Sequence, residues 1–375
     1  MKFIGIDLHT NKFTCCYRDE NSSLDGKGEK WTETFKLDPC GLLAFSQTVS
    51  PDDYVLVEAT ISTFAFVRLI QPMVKEVIVA NTYELKQISF ARKNTDKVDA
   101  DILCRVLKMQ VLSGERTISP VTVPPIEIQD LRSLFSTYRL LKKEIAQNKN
   151  RIHSLLKEKL HGFTQEEIFN QKSRKIILEI EADQGPQGST MHRQIKLLLN
   201  LIDNLEADIK SIKEMVMEQA EPFLREIEIL TSMKGISVFL AAAIIADIIN
   251  VERFRNSKAF TSYLRSAPRV SNSNTSVNIG GTNKKGRKLS ATLMTQSLIH
   301  VLAASPKLFE WYKRLTQYKK PGSVRTGLRR RVFAEIYQML KKGEYHYGRE
   351  KEKHEAKMRQ FKRFLEKRKN LLKSA

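Results

Sequence analysis

Asn94-Thr95-Asp96-Lys97-Val98-Asp99-Ala100-Asp101-Ile102-Leu103 is the stretch on which the reading of this chain turns. Thr95 or Asp96 suits an N-cap, and the apolar spacing that continues through Leu103 and Val106 predicts a helix. Asp96 and Asp99 stand three residues apart, so one face of that helix carries both carboxylates, while Asp101 points away. Two acids side by side at a helix start repel one another and require a cation or water nearby. Taken alone, the pattern is that of a helix cap with a solvated acid. The rest of the N-terminal third alters that reading.

The chain opens Lys2-Phe-Ile-Gly-Ile-Asp7-Leu-His9, an apolar run that ends on an acid, and Asp53-Tyr-Val-Leu-Val-Glu58 repeats the design. Short continuous apolar runs predict strands buried on both faces, and sites in such sheets gather at the strand ends. An ionised acid there must be paired, solvated or metal-bound. Two such strand ends and the Asp96/Asp99 face supply four carboxylates for one point. Oxygen-rich clusters of this kind suit Mg²⁺ or Mn²⁺, and two metals roughly 4 Å apart are a recurrent device for displacement at phosphate.

Ile-Gly-Ile-Asp7, Val-Glu58-Ala-Thr60 and Thr95-Asp96-Lys-Val-Asp99-Ala100 together resemble the Asp-Glu-Asp-Asp (DEDD) signature of one group of insertion-sequence transposases, which includes the Piv-type DNA invertases and the bridge-RNA-guided recombinases. The Thr-Asp-x-x-Asp-Ala element is the most specific piece. Relatives commonly have glycine where this chain has Ile61. The resemblance implies a RuvC-like, ribonuclease H-type N-terminal domain in which Asp7, Glu58, Asp96 and Asp99 hold Mg²⁺ (or Mn²⁺).

Lys and Arg number 63 against 42 Asp and Glu in 375 residues, a formal charge of +21. The length predicts two or three folding units. The charge says nothing about fold but favours a polyanionic partner, here nucleic acid over membrane. Cys15, Cys16, Cys40 and Cys104 show no zinc spacing and read as reduced core residues of a cytosolic protein. No signal-peptide pattern precedes Met1, and the longest apolar run, 238–249, is too short to span a bilayer and contains Asp247. The expectation is a soluble cytoplasmic protein, and the resemblance places it at a prokaryotic nucleoid.

Strand-like runs at 13–17 and 31–37 flank a polar, Gly-containing segment and read as an antiparallel meander. A helix over 41–49, the strand ending at Glu58, a helix over 64–74 and a strand at 77–80 follow. Strands first, then βαβ alternation, is the ribonuclease H-like order. After Pro124-Pro125 the series Leu131, Leu134, Tyr138, Leu141, Ile145, Asn148, Ile152, Leu155 keeps 3-4 spacing, as does Ile195, Leu198, Ile202, Leu205, Ile209, Ile212, Val216. Both read as coiled-coil seams, with Asn148 a register-fixing polar residue. The Gly/Pro-containing loop at 183–189 separates them, so the helices either fold back on each other or pair with a second chain.

Lys234-Gly235-Ile236 has the apolar-flanked glycine of a helix-hairpin-helix turn, whose amides can hold a phosphate. Gly235 fits a plain C-cap equally well. Residues 262–289 read as a loop rich in hydroxyls and cations: Pro268-Arg269, Ser271, Ser273, Ser276, then Lys284, Lys285, Arg287. Such a loop suits phosphate contact, and an activated serine is also a nucleophile. Nothing local selects one serine. In the resembling transposases the catalytic serine lies five residues after the proline of a Pro-Arg-like pair, which implies Ser273; Asn274 follows where they usually have glycine. The tail, 346–375, reads as a basic helix on nucleic acid or a segment that orders on binding.

The expected architecture is therefore α/β plus α: a RuvC-like domain at 1–125, a coiled-coil strut at 126–228, a mainly α-helical transposase domain with the helix-hairpin-helix-like turn and the serine loop at 229–345, and a basic tail at 346–375. The expected function is a mobile-element transposase that cuts and rejoins donor and target DNA through a phosphoserine link. The resemblance further implies a guide (bridge) RNA and a homo-oligomer, dimer or tetramer. Lys234, Gly235, Arg269, Lys284, Lys285 and Arg287 are the candidate nucleic-acid contacts. The rivals are a RuvC-like metal-dependent nuclease that uses water, and a non-catalytic nucleic-acid-binding scaffold.

Overall fold

The computed structural model describes residues 1–22, 30–82, 85, 95–158, 169–170, 173–175, 185–273, 276–283 and 286–374, with backbone alone at 185–189, 269–273, 276–280 and 372–374. The chain divides into two compact units, Met1–Pro124 and Pro125–Ala375.

The first unit is built on five strands: β1 (Lys2–Leu8), β2 (Lys12–Asp19), β3 (Lys30–Lys36), β4 (Tyr54–Glu58) and β5 (Glu76–Ala80), with helices α1 (Pro39–Ser46), α2 (Thr63–Ile70) and α3 (Asp96–Ser113). Their order in the sheet is β3-β2-β1-β4-β5. The pairs β1/β2 and β2/β3 are antiparallel, whereas β1/β4 and β4/β5 are parallel, the meander and βαβ arrangement the sequence predicts.

Strand alternation divides the core between the two faces. Ile4, Ile6, Leu8, Phe13, Val55 and Val57 pack on one side with Phe66, Val67 and Ile70 of α2. Phe3, Cys16 and Leu56 pack on the other with Ala100, Leu103, Cys104 and Leu107 of α3. α3 lies unusually close to β1: a Cβ on Gly5 would stand 2.2 Å from the Ala100 carbonyl oxygen and 2.3 Å from the Cys104 nitrogen. The buried Lys108 Nζ donates to the carbonyls of Asp19, Glu20 and Ser22, holding the end of β2 against the same helix. Of the four cysteines, Cys15, Cys16 and Cys104 are buried, but Cys40 is exposed. It sits in the first turn of α1, outside the strand pattern that buries Cys15 and Cys16.

The second unit begins with two long helices, α4 (Ile126–Glu158) and α5 (Gly185–Gln219). Lys149 of α4 meets Glu206 of α5, while the earlier Tyr138 and the later Lys213 both lie against Phe239, so the helices run antiparallel. The chain thus folds back on itself, one of the two pairings the seams allow. Leu131, Tyr138, Ile145, Ile152 and Leu155 are buried, as are Ile195, Ile202, Leu205, Ile209 and Val216, while Asn148 is only half-buried.

α6 (Leu224–Thr231), α7 (Val238–Ile248), α8 (Ser257–Tyr263), α9 (Leu289–Ala304), α10 (Pro306–Thr316), α11 (Pro321–Lys342) and α12 (Lys351–Ser374) follow. Arg132 Nε donates to Ala246 O, and the buried Asp247 carboxylate accepts from the amide and hydroxyl of Ser290, capping α9 from α7. Residues 268–282, read from sequence as loop, instead form a β-hairpin, β6 (Pro268–Ser273) and β7 (Ser276–Thr282). Val270, Val277 and Ile279 are β-branched and suit a pleated strand. The basic tail is a docked helix: His354, Met358, Phe361 and Leu365 are buried in the core that also holds α4 and α5.

Candidate functional site

The face of the first unit covered by α3 is where its titratable residues collect. Ile6 and Val57 are register partners in the parallel β1/β4 pair, so Asp7 and Glu58 are the next residues on neighbouring strands. Both share the alternation of Phe3, Gly5 and Leu56, the set that meets α3. α3 starts at the same edge. Thr95 caps it, its hydroxyl accepting from Val98 N at 3.4 Å, and the first turn carries Asp96 and Asp99.

Asp7 and Asp96 are brought together through His9. Its Nε2 lies 3.0 Å from Asp7 Oδ2 and 3.2 Å from Asp96 Oδ1, and Lys12 Nζ lies 2.6 Å from Asp96 Oδ2. Ligand atoms of Asp7, His9 and Asp96 all fall within 4.8 Å of one another, a group able to hold a metal ion. Burial pushes the Asp7 carboxyl above its usual 3.8, with His9 opposing and the charges of Asp99 and Asp96 adding to the rise. The Asp96 carboxyl is instead lowered, chiefly by its hydrogen bond from Lys12. The two carboxylates are therefore held close together by the His9 ring and the Lys12 ammonium.

Glu58 and Asp99 are not in that group of three. Asp99 is half-buried in the first turn and acts on Asp7 through its charge. Glu58 ends β4, half-buried, with its register partner Ala80 on β5. The turn beyond it is held by Thr63, whose hydroxyl donates to Glu58 O at 2.6 Å and accepts from Thr60 N at 2.8 Å. Ile61 is fully exposed in that turn and does not take a positive φ, so the turn forms there without glycine. Asp101 does point away: it pairs with the buried Arg18 at 2.7 Å and with Lys30 at 3.0 Å.

Sequence reasoning asked for a cation beside the acids and did not name it. Lys12 is that cation, and His9 is the ring that stands between the two acids. Their signal was spacing: His9 is two residues beyond Asp7, and Lys12 opens the strand whose Thr14 is the register partner of Asp7.

Ser273 lies in the second unit, as the last residue of β6 and the register partner of Ser276; Ser271 pairs with Asn278. The side chains of Arg269, Ser271, Ser273 and Ser276, and all of Lys284 and Lys285, lie outside the described residues. The start of the hairpin is fixed from below by Arg329. Its guanidinium donates to Ser266 Oγ at 2.9 Å, Thr295 Oγ1 at 2.8 Å and Arg265 O at 2.8 Å. Arg265 has a positive φ of 49°, and its own Nε reaches Gly286 O at 2.7 Å. Arg287 N donates to Tyr263 O at 2.9 Å, which closes the same ring of loops.

Gly235 takes the left-handed conformation, φ 92°, and a Cβ there would come within 2.8 Å of Val301, so both backbone and packing require glycine. Ser237 caps α7, accepting from Leu240 N. Lys234 pairs with Glu350 at 2.7 Å, and Lys357 of the terminal helix donates to Ile236 O at 3.1 Å. The turn is thus packed between α9 and α12. Among the described residues no helix is long and apolar enough to cross a membrane.

Two family models match the chain. A DEDD-type IS110 model, described as a transposase, matches residues 4–160 and so contains all four acids. A second, described as the transposase IS116/IS110/IS902 family, matches residues 227–313, from the Gly235 turn through the β6–β7 hairpin. Together they span well over half of the chain. The first match implies a RuvC/ribonuclease H-like fold, in agreement with the β3-β2-β1-β4-β5 order. No curated protein matches the chain.

Proposed function

Since the chain belongs to the IS110 family of transposases and is by that membership a DNA recombinase, we propose that it cuts and rejoins DNA strands with Mg²⁺ held at the α3 edge of its first unit. The observation that carries this reading is the meeting of Asp7 and Asp96 across His9 at the strand ends. DEDD-type membership agrees with dependence on a divalent metal, and the donor set is of the hard, oxygen-rich kind that suits Mg²⁺ or Mn²⁺. Asp7, Asp96, Asp99 and Glu58 are the proposed ligands. A metal bound there would neutralise charge on the scissile phosphate and lower the pKa of the attacking hydroxyl.

Ser273 is the proposed nucleophile. Its Oγ–P bond forms as one P–O bond of the DNA backbone breaks, and the proton lost by the serine balances the one gained by the leaving sugar oxygen. The phosphodiester to serine keeps the bond energy for rejoining. Ser273 and the acids belong to different units, and a homo-oligomer is the proposed form. A guide RNA that chooses the sites by base pairing belongs to the same proposal. Lys234, Gly235, Arg269, Lys284, Lys285 and Arg287 are its contacts to the nucleic-acid backbone.

The experiment is a denaturing gel of labelled target DNA incubated with Mg²⁺, co-purified RNA and each variant, followed by peptide mapping of any adduct. Wild type is expected to yield a protein–DNA adduct and Ser273→Ala none, with Ser271→Ala and Ser276→Ala as controls. DNA binding by Ser273→Ala should stay near normal, since one hydroxyl removes at most about 1–2 kcal/mol. Asp99→Asn should lose cleavage and keep its fold. Adduct-free cleavage by wild type would replace the recombinase chemistry with metal-dependent hydrolysis.

A further inference from the structure

The second unit contains a cavity of about 570 Å³ walled by α10, α11 and the foot of the β6–β7 hairpin. Its apolar lining is formed by Pro268, Trp311, Leu315 and Val324. The rim carries Lys319 and Arg330, both exposed. Among the described residues neither has a carboxylate partner within 4.0 Å.

Three consecutive arginines on α11 set this up. Arg329 turns inward to the loop carbonyls and hydroxyls beneath β6. Arg330 lines the cavity, and Arg331 stacks its guanidinium 4.2 Å from the centre of the Trp311 ring, fixing the indole that forms the wall. Between residues 306 and 334 the chain carries nine Lys or Arg and a single acid, Glu310. α11 contributes Gly322 and Gly327 to the lining, so its backbone leaves room for an occupant.

An aromatic, apolar wall beneath an unneutralised cationic rim matches the two parts of a nucleotide, base and phosphate. We propose that this groove holds one unpaired nucleotide of single-stranded DNA, with the base against Trp311 and Leu315 and the phosphate between Lys319 and Arg330. DNA is the occupant because the chain is a DNA transposase, and the inference rests on that reading. A pocket of this size admits an extruded nucleotide and not a duplex. Pro268 and Thr282, at the mouth, are register partners at the open end of the hairpin, so the held strand lies at the foot of the element that ends in Ser273. None of Lys234, Gly235 and Arg287, the contacts proposed above, lines this groove.

The test uses the full chain, a short oligothymidylate carrying 5-iododeoxyuridine for crosslinking, and a duplex of equal length. Irradiation should place the crosslink on the peptide that contains Trp311. Gly327→Leu crowds the aromatic lining of the groove, because a Cβ at that position would lie 3.6 Å from the Trp311 ring, an ordinary contact distance. That variant and Arg330→Glu should each weaken oligothymidylate binding about tenfold, the scale of one lost base stack, leave duplex binding little changed, and melt like wild type. A crosslink elsewhere, or wild-type affinity in both variants, overturns the proposal. Tighter binding of oligouridylate, lost in the same variants, overturns the DNA assignment in favour of RNA. Mg²⁺-dependent cleavage by wild type and Asp99→Asn, measured on the same preparations, reports on the recombinase reading independently of the groove.

Discussion

The Cβ that Gly5 lacks would stand 2.2 Å from the carbonyl oxygen of Ala100, so the first strand and the acid-bearing helix touch backbone to backbone. This contact sets how far α3 sits from β1, and through it the approach of Asp96 to Asp7. Gly5→Ala must therefore push the helix outward. Overpacking of this kind costs about 1–3 kcal/mol, and the strand end and helix start part by a similar displacement. The expected outcome is a lower urea midpoint together with lost Mg²⁺-dependent cleavage. Unchanged stability in Gly5→Ala would show that the close approach is not a constraint.

Asp7 supplies a second prediction, with a definite sign. Its folded carboxyl titrates above its usual 3.8 because burial disfavours the charge. An acid raised in this way binds its proton more tightly folded than unfolded, so its contribution to stability grows as pH falls and is unfavourable at neutral pH. Asp7→Asn should then raise the melting temperature of the metal-free protein. The wild type should recover the deficit when Mg²⁺ binds, by about 2.7 kcal/mol at roughly a hundredfold excess over Kd, and Asp7→Asn should show no such rise. An equal Mg²⁺ shift in both proteins would detach Asp7 from the metal.

Much of the first unit was legible because its signals are local. Apolar runs that stop on Asp7 and Glu58 mark strand ends, and Thr95 with Asp96 and Asp99 marks a helix start; alternation then puts Asp7 and Glu58 on the face that α3 covers. His9 escaped because its partners, Asp7 and Asp96, are joined only by the long-range packing of α3 on the sheet. The seams at 131–155 and 195–216 were legible as helices, but the same spacing serves an intrachain pair and a dimer. The serine hairpin was misread as loop because a strand with many serines and asparagines lacks the usual apolar alternation. Arg329 was invisible for a different reason: nothing in Leu-Arg-Arg-Arg says which arginine turns inward.

The terminal helix should be sensitive to mild acid. His354 is buried, with Nε2 3.2 Å from Thr231 Oγ1 and Nδ1 accepting from Arg349 Nε at 2.8 Å. Both nitrogens are thus used by a neutral ring. Burial, with the nearby Arg349 charge, holds its pKa below the usual 6.5. Neutral His354 is favoured in the fold, so its contribution is present above about pH 6.5 and is lost as pH falls from there through the lower folded value. The protection of residues 351–374 against hydrogen exchange, taken relative to the intrinsic rate at each pH, should fall below that pH while protection of the β1–β4 pair stays unchanged. Equal protection of α12 at pH 7 and pH 5 would mean that His354 does not govern its docking.

Arg329 yields the last prediction, because it is the side chain through which α11 fixes the start of β6. Its donors satisfy Ser266 Oγ, Thr295 Oγ1 and the carbonyl of Arg265, a residue held at positive φ. Burial lowers the pKa of the guanidinium, yet the planar fork reaches three directions at once, which a lysine ammonium cannot reproduce. Arg329→Lys should therefore leave at least one buried acceptor unpaired, at a cost of about 1–3 kcal/mol. The loosened element is the hairpin that carries Ser273, so adduct formation should fall by more than the loss of stability explains. Non-specific DNA affinity and its salt slope should hardly change, because the charge is kept and the buried group never faced phosphate. A variant that forms adduct at the wild-type rate, with hairpin amides equally protected from exchange, would separate Arg329 from the positioning of Ser273. Arg330→Lys is the matched control: it keeps the charge at the groove, touches none of these acceptors, and should leave both stability and hairpin protection as they are.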